Sequence, residues 1–274
     1  MSTDVPKLES RGQSAQVLED VLVARWNDAD SVDALFARHG DQIAAVIAEP
    51  ILGNSGVILP EPGFLSRLRD IAHSHGSLVI FDEVITGYRV GLSGASGRLG
   101  VTPDLVVLGK AIANGYPLSV ILGRPEILDL GAGGGVVHAG TFNGNPMVLA
   151  AALATLTELE AQGTLEKIER NAMALAEGLK AELDGRKVTA SVHQVGGIVQ
   201  ILPGVTRVRD YDGYATASWA WYDSLIVELL KRGVFVLPGG RLYLSAAHSK
   251  DDIASTLQAF SEALEQIACL PTHP

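Results

Sequence analysis

The sequence predicts an α/β protein in which a mostly parallel sheet is flanked by helices and followed by a smaller α+β domain. Several short apolar runs in the first half are continuous in Val, Ile and Leu, a pattern typical of strands buried on both faces. Segments with helical periodicity separate them, as the crossovers between parallel strands require. With 274 residues, 47% of them hydrophobic, the chain can also bury a large core.

The sequence divides into a short arm and two predicted domains. Residues 1–16 are polar and aperiodic and are interpreted as an arm. The large domain, 17–160, has apolar runs that predict strands at 43–48, 77–82, 105–109 and 119–123, with helices at 62–74 and 145–160. The smaller domain, 161–274, has predicted helices at 164–184, 216–232 and 251–268, and strands within 187–202, 234–236 and 241–245.

Composition excludes several classes of protein. The formal net charge is −10 and no basic stripe is present, so a general nucleic-acid binder is not expected. No apolar stretch reaches the ~18 residues of a membrane span, and the N-terminus carries no secretory signal pattern. The single cysteine, Cys269, excludes an internal disulfide framework. We therefore expect a soluble, cytoplasmic protein.

The most informative residue is Lys110, which directly follows the apolar run 104–109. A lysine that deprotonates readily can attack a carbonyl and form a Schiff base. Asp82 follows another predicted strand, and ligands of parallel sheets bind at the carboxyl ends of the strands. Pyridoxal phosphate needs an amine and a carboxylate that faces its pyridine nitrogen. Asp82 is the candidate carboxylate, and Val84 can press on a ring face. The alternative is a structural aspartate and a solvent-facing lysine.

Three motifs carry a family resemblance: 45–54 (AVIAEPILGN), 78–89 (LVIFDEVITGYR) and 108–117 (LGKAIANGYP). Together they resemble the class III aminotransferases, which are fold type I pyridoxal-phosphate enzymes. Within that family the chain is most similar to the glutamate-1-semialdehyde aminomutase branch, over about residues 17–268.

The resemblance assigns roles to individual positions. Lys110 would form the Schiff base, Asp82 would pair with the pyridine nitrogen, and Val84 would pack on the ring. Asn54 matches a position near the ring hydroxyl and the substrate, where ornithine-type relatives carry an acid. In the loop 138–146, Gly140 and Thr141 match the segment that reaches the cofactor phosphate of a neighbouring subunit, which implies an oligomer with shared sites. The alternative for that loop is an ordinary helix cap.

Several other charged, histidine and glycine residues also have simple structural explanations. Arg241 can pair with a substrate carboxylate through its planar fork, but a surface arginine explains it equally well. Glu49 is expected to support a strand end. The glycine run 131–135 is interpreted as a flexible loop. His73 and His75 do not share a helix face, and no metal site is expected.

The resemblance also implies a missing part, because the family's phosphate-binding loop and ring-stacking aromatic residue are not found in this sequence. We therefore expect one subunit of a split aminotransferase, completed by a second polypeptide that supplies the N-terminal half. The enzyme would move an amino group from an amino acid or amine to a carbonyl acceptor. The alternatives are a 2,1-aminomutase, for which the acid expected near 240–241 is absent, and a non-catalytic binding or regulatory subunit.

Overall fold

A computed structural model describes residues 10–267 of the chain. Cys269, residues 1–9 of the predicted arm and the last residue of the predicted final helix lie outside this range. The first sheet has four strands in the order β1 (Ala45–Ala48), β2 (Leu78–Asp82), β3 (Leu105–Leu108) and β4 (Val120–Gly123). The sequence placed all four correctly. The fold class predicted from it, α/β with a mostly parallel sheet and a separate smaller sheet, is confirmed.

One strand direction differs from the expectation. β1, β2 and β3 are parallel, whereas β4 runs antiparallel to β3. The connection at 109–119 contains only a 3₁₀ turn, Lys110–Ala113. A parallel return needs a crossover of a dozen or more residues, usually with a helix, so this short connection returns as an antiparallel neighbour.

Five helices accompany this sheet: α1 (Ala29–His39), α2 (Phe64–Ser74), α3 (Gly94–Leu99), α4 (Pro125–Ala132) and α5 (Pro146–Glu160). α1 and α2 bury apolar side chains such as Phe36 and Leu68 against Val79 and Phe81 of β2. The sequence analysis had not predicted α1. The glycine run 131–135 is only partly a loop, because its first two residues complete α4.

The second sheet is antiparallel, in the order β5 (Ala190–Val195), β6 (Ile198–Pro203) and β7 (Arg241–Tyr243). The helices of this half are α6 (Thr164–Gly185), α7 (Tyr211–Ala215), α8 (Trp219–Lys231) and α9 (Lys250–Gln266). The strand expected at 234–236 is wrong, because Val234 and Val236 pack into the core around α6, α8 and α9 instead. Within residues 10–267, no helix has the length and apolar character needed to cross a membrane.

The two sheets share a core. Ile198 of β6 packs with Ile51, Ile85 and Val90 of the first half. At the β5–β6 turn, the Gly197 N–H donates to the Arg89 carbonyl at 2.8 Å. Gly196 has φ +52° and lies so close to the Arg89 backbone that no Cβ would fit. The second sheet is thereby held against the segment that follows β2.

A buried carboxylate connects the first sheet to its helices. Asp104, 3% exposed, accepts hydrogen bonds from His73 Nε2 at 2.9 Å, the Val79 N–H at 2.7 Å and Arg124 Nη1 at 3.0 Å. Burial alone raises the pKa of Asp104, but these donors together hold it below its usual range. The carboxylate connects α2, β2 and the end of β4 at the start of β3.

We predict that Asp104→Asn lowers the free energy of unfolding by about 2 kcal/mol at pH 7, because an amide cannot accept from all three donors. The folded-state pKa is lowered, so the contribution is present above the ordinary carboxyl pKa of about 4 and is lost as pH falls through the folded value. Urea denaturation of the purified chain between pH 3 and 7 measures it. Asp70→Asn, at an exposed aspartate, is the control. A difference that does not shrink at low pH would contradict this account.

Candidate active site at the carboxyl ends of the parallel strands

The register of β2 and β3 brings Asp82 and Lys110 to the same sheet edge. Asp82 is the last residue of β2 and is in register with Val107 of β3. The adjacent Glu83 N–H continues the pairing with a 2.9 Å bond to the Val107 carbonyl. Lys110 begins the 3₁₀ turn just beyond β3. The predicted juxtaposition of an amine and a carboxylate therefore exists in the fold.

Lys110 has an unusual backbone and an unusual charge environment. Its φ of +46° lies in the left-handed region, which costs energy for a residue with a side chain and is common at functional sites. Partial loss of water lowers the pKa of the Lys110 ammonium, and the positive charges of Arg89 and Arg241 lower it further. Asp82 and Glu49 act in the opposite direction. The net lowering favours the neutral, nucleophilic amine.

Glu83 fixes the segment that follows Asp82. It is 1% exposed, and its carboxylate accepts from Thr86 Oγ1 at 3.0 Å and from the backbone N–H groups of Ala95 at 2.5 Å and Ser96 at 2.9 Å. The Ser96 hydroxyl also donates to it. These bonds tie the segment after β2 to the start of α3.

Val84 is placed by contacts on both sides. Its N–H donates to Asp82 Oδ1 at 2.9 Å, which orients that carboxylate. On the other side, a Cβ at Gly109 would lie 3.4 Å from Val84 Cγ1. Val84 is half-exposed, with the Asp82 carboxylate on one side and Gly109, the residue before Lys110, on the other.

Glu49 and Asn54 form a hydrogen-bonded pair in the loop after β1, where the charge of Asp82 acts on Glu49. Glu49 Oε2 accepts from the Gly53 N–H at 2.9 Å and the Asn54 N–H at 3.3 Å, and Oε1 accepts from Asn54 Nδ2 at 3.3 Å. Burial is the main cause that raises the pKa of Glu49, and the negative charge of Asp82 adds to it. Glu49 thus supports the loop after β1 and places Asn54.

Arg241 reaches this loop from the second sheet. Its Nη1 donates to the Asn54 backbone carbonyl and to Asn54 Oδ1, both at 3.0 Å. Together with its effect on the pKa of Lys110, this contact places Arg241 in the same group as Asn54 and Lys110. It is half-buried and bonded rather than a free surface arginine.

Sequence reasoning missed Arg89 and Tyr243. The Arg89 guanidinium lies over the Tyr243 ring, 4.9 Å from its centroid, and Arg89 Nη1 donates to the Ile85 carbonyl at 2.9 Å. The available signal was that Arg89 ends the same motif that contains Asp82. Nothing local in the sequence indicated that a tyrosine from β7 would pack against it.

Gly140 and Thr141 are not brought to this group. They lie in an exposed turn before α5, whose first turn is capped by the Asn145 side chain through the Met147 N–H at 3.0 Å. Among the hydrogen bonds of residues 10–267, none joins Thr141 to Lys110, Asp82 or Asn54. Their predicted role at a neighbouring subunit's phosphate remains a prediction.

The residues present fit pyridoxal phosphate on three counts. They offer an amine of lowered pKa at Lys110 and a carboxylate on the neighbouring strand at Asp82. A half-exposed apolar side chain, Val84, lies beside the Asp82 carboxylate and next to Gly109, the residue before Lys110. This is the set that the cofactor's carbonyl carbon, pyridine nitrogen and ring face require.

The Aminotransferase class-III family model matches residues 4–264 of the chain. A glutamate-1-semialdehyde 2,1-aminomutase from Ignicoccus hospitalis is 43% identical over 262 residues, which are 94% of this chain and 62% of that protein. Glutamate-1-semialdehyde 2,1-aminomutase 2 from Brevibacillus brevis is 38% identical, over 94% of this chain and 61% of that protein. The chain therefore spans less than two thirds of the length of these relatives.

The chain is also similar in fold to solved structures of transaminases and aminomutases. An omega-transaminase from Sphaerobacter thermophilus superposes with a TM-score of 0.90 at 30% identity, covering 95% of this chain and 60% of that one. A glutamate-1-semialdehyde aminomutase from Pseudomonas aeruginosa PAO1 in complex with PMP gives a TM-score of 0.81 at 28% identity, covering 89% and 56%.

We predict that Lys110 is acylated at lower pH than the chain's other lysines, because the lowered pKa of its ammonium lets it lose its proton more easily. Arg89→Gln removes a positive charge and should move the midpoint of Lys110 labelling upward. Mass spectrometry after brief treatment with acetic anhydride across pH 6–11 measures both effects. The matched control is Arg38→Gln, on the exposed side of α1. An unchanged Lys110 midpoint in Arg89→Gln would contradict the assigned electrostatics.

Proposed function

We propose that this chain, which belongs to the class III aminotransferase family, carries the cofactor-anchoring part of a pyridoxal-phosphate enzyme that transfers an amino group from an amino acid or amine to a carbonyl acceptor. One observation carries the proposal: Lys110 and Asp82 follow adjacent parallel strands in register at one edge. The family match supports the cofactor, and the lowered pKa of Lys110 supports an amine that loses its proton more readily than an ordinary lysine.

Lys110 has two tasks in this proposal. Its Nζ would hold the cofactor, and the lowered pKa of the ammonium would increase the share of neutral amine available for this. The same Nζ would also move the proton of the substrate carbon, first as a base and then as an acid. Lys110 is exposed at the end of β3, so a bound molecule can reach its side chain.

Asp82 and Val84 hold the ring. The Asp82 carboxylate would keep the pyridine nitrogen protonated, and the hydrogen bond from the Val84 N–H fixes the direction of that carboxylate. Val84 would pack on the ring. Pyridoxal phosphate, when bound, supplies an electron sink for the pair of electrons left on the substrate carbon. The Asn54 side chain is held by Glu49 and Arg241 and would contact the substrate.

A second candidate is a 2,1-aminomutase, in which the amino group moves between neighbouring carbons of one molecule. The curated relatives at 38–43% identity carry that name. A transaminase needs a separate carbonyl acceptor for a second half-reaction, whereas an aminomutase converts one substrate alone. Turnover of glutamate 1-semialdehyde without any added acceptor would therefore favour the aminomutase.

We propose further that a second polypeptide, carrying the family's N-terminal segment, covers an open face of the first sheet. Strand register places Ile47, Ile80, Val107 and Ile121 on the same face as Asp82. Ile47 is 66% and Ile121 45% exposed. Ile80 and Val107 between them are partly exposed. An apolar face of this kind, on a sheet whose edge strand is β1, favours a protein partner. The partner would supply the phosphate loop and the ring-stacking aromatic residue.

For the cofactor, we predict a visible absorbance band in the chain that has been co-expressed with the polypeptide carrying the N-terminal segment and loaded with pyridoxal phosphate. Borohydride should fix the cofactor as a mass addition on Lys110. Lys110→Ala should lose both the band and at least about a thousandfold of kcat, since acid–base catalysis alone contributes about 10²–10⁴-fold. Asp82→Asn should keep the attachment but lower kcat on the order of a hundredfold. A preparation that stays colourless with excess cofactor would support the non-catalytic subunit instead.

For the partner, we predict a 1:1 association with the polypeptide that carries the N-terminal segment, measured by light scattering after co-expression. Ile47→Asp should weaken it strongly, because a carboxylate would be buried in an apolar contact. Val227→Asp is the matched control, since Val227 is 53% exposed on α8, away from this face. Tight cofactor binding by the isolated monomeric chain would refute the need for a partner.

A further inference from the structure

The guanidinium groups of Arg89 and Arg241 both act electrostatically on Lys110. Neither guanidinium has a carboxylate partner among the ion pairs of residues 10–267. Arg241 bonds to an amide side chain and a carbonyl, and Arg89 bonds to the Ile85 carbonyl and stacks on Tyr243. Both are half-buried. Partly buried cations normally pair with an anion, because partial desolvation is costly without one.

The two arginines lie on one surface. Arg241 and Tyr243 are two residues apart on β7, so their side chains point to the same side of the sheet. That side faces the first half of the chain, because Tyr243 packs with Ile85 and Val90. The Arg89 guanidinium covers the Tyr243 ring. Arg241, Tyr243 and Arg89 therefore form a continuous row along the wall of the candidate site.

The acids of the site do not neutralise this row. In the proposed function Asp82 is committed to the pyridine nitrogen. Glu49 is engaged by three donors of the loop after β1, and burial raises its pKa. Both arginine charges also act on Lys110. Positive charge therefore remains beside the amine, on the side of Asn54 and the second sheet.

Donor groups remain available on both side chains. Arg241 uses only Nη1, and its Nε is buried without a hydrogen-bond partner. Arg89 uses only Nη1, for the Ile85 carbonyl, while the Tyr243 ring fixes the plane of the guanidinium. A planar group with free N–H donors and a fixed orientation is suited to a carboxylate.

We infer that Arg89 is a specificity-determining residue that, together with Arg241, binds a carboxylate of the substrate, so that the enzyme prefers amino and keto acids to uncharged amines and carbonyl compounds. This inference rests on the proposed function. Arg241 receives the carboxylate next to Asn54. Arg89, whose guanidinium stacks on the Tyr243 ring, supplies the second positive charge.

The test compares a carboxylate donor, β-alanine, with an uncharged donor, 1-phenylethylamine, in the cofactor-loaded protein. Arg89→Gln should reduce the ratio of kcat/KM for β-alanine to that for 1-phenylethylamine by about tenfold, as expected for a lost charged hydrogen bond. The loss should lie mainly in KM for β-alanine. Any change in the Lys110 pKa affects both donors and cancels in the ratio.

Three further variants sharpen the comparison. Arg241→Gln should reduce the same ratio by a similar factor. Arg89→Lys keeps the charge without the planar fork, so it should recover part of the preference. Arg38→Gln, at an exposed arginine on α1, should leave the ratio unchanged.

A second measurement needs no cofactor. Propionate added to the purified chain should shift the NMR signals of the Arg89 and Arg241 guanidinium groups in a saturable way, and Arg89→Gln should weaken that binding. Inorganic phosphate, as competitor, tests whether the row takes any anion. The inference fails if Arg89→Gln leaves both the donor ratio and propionate binding unchanged, or if phosphate binds more tightly than propionate. A colourless preparation that still binds propionate through Arg89 would refute the proposed function alone.

Discussion

The parallel pairing of β2 with β3 is the constraint on which the site depends. It places Asp82 opposite Val107, and Lys110 follows directly at the end of β3, so a shift by one residue would turn Asp82 to the other sheet face. The buried Asp104 secures this register at the opposite end of β3, through the Val79 N–H and the side chains of His73 and Arg124. The buried Asp104 carboxylate at one end of the β2–β3 pair thus helps to fix the position of the Asp82 carboxylate at the other end.

A second buried carboxylate extends this order to the neighbouring sheet. Glu83 holds the segment after β2 against α3, and Gly94 has no room for a Cβ beside it. The same segment continues to Arg89, whose carbonyl accepts from Gly197 of the β5–β6 turn. The position of Arg89 is therefore set from both sides, by Glu83 in the first half and by the hairpin in the second. This is why a side chain in a loop can contribute to a defined site.

The sequence was sufficient for features that depend on local pattern. Continuous apolar runs located the four strands, and the motifs around Lys110 and Asp82 identified a shared edge. The antiparallel direction of β4 follows from a connection too short for a crossover, a local feature that the sequence did contain. Features that depend on distant contacts were not accessible: the apolar run 234–236 packs in a helical core instead of forming a strand. The stacking of Arg89 on Tyr243 was missed for the same reason. α1 was missed although its signals are local. The Asp28 side chain caps its first turn, and Val32 and Phe36 are spaced four residues apart, as on one face of a helix.

Asn54 explains how opposite charges coexist in this site without cancelling. Its Nδ2 donates to Glu49 while its Oδ1 accepts from Arg241, so a neutral amide separates a carboxylate from a guanidinium. An acid at this position would pair with Arg241 directly and neutralise it, whereas the amide orients the guanidinium and leaves its charge intact. The Arg241 charge then lowers the pKa of Lys110 and remains available to a substrate anion. In the proposed function, a single amide would thus support both the reactivity of the amine and the inferred preference for substrates with a carboxylate.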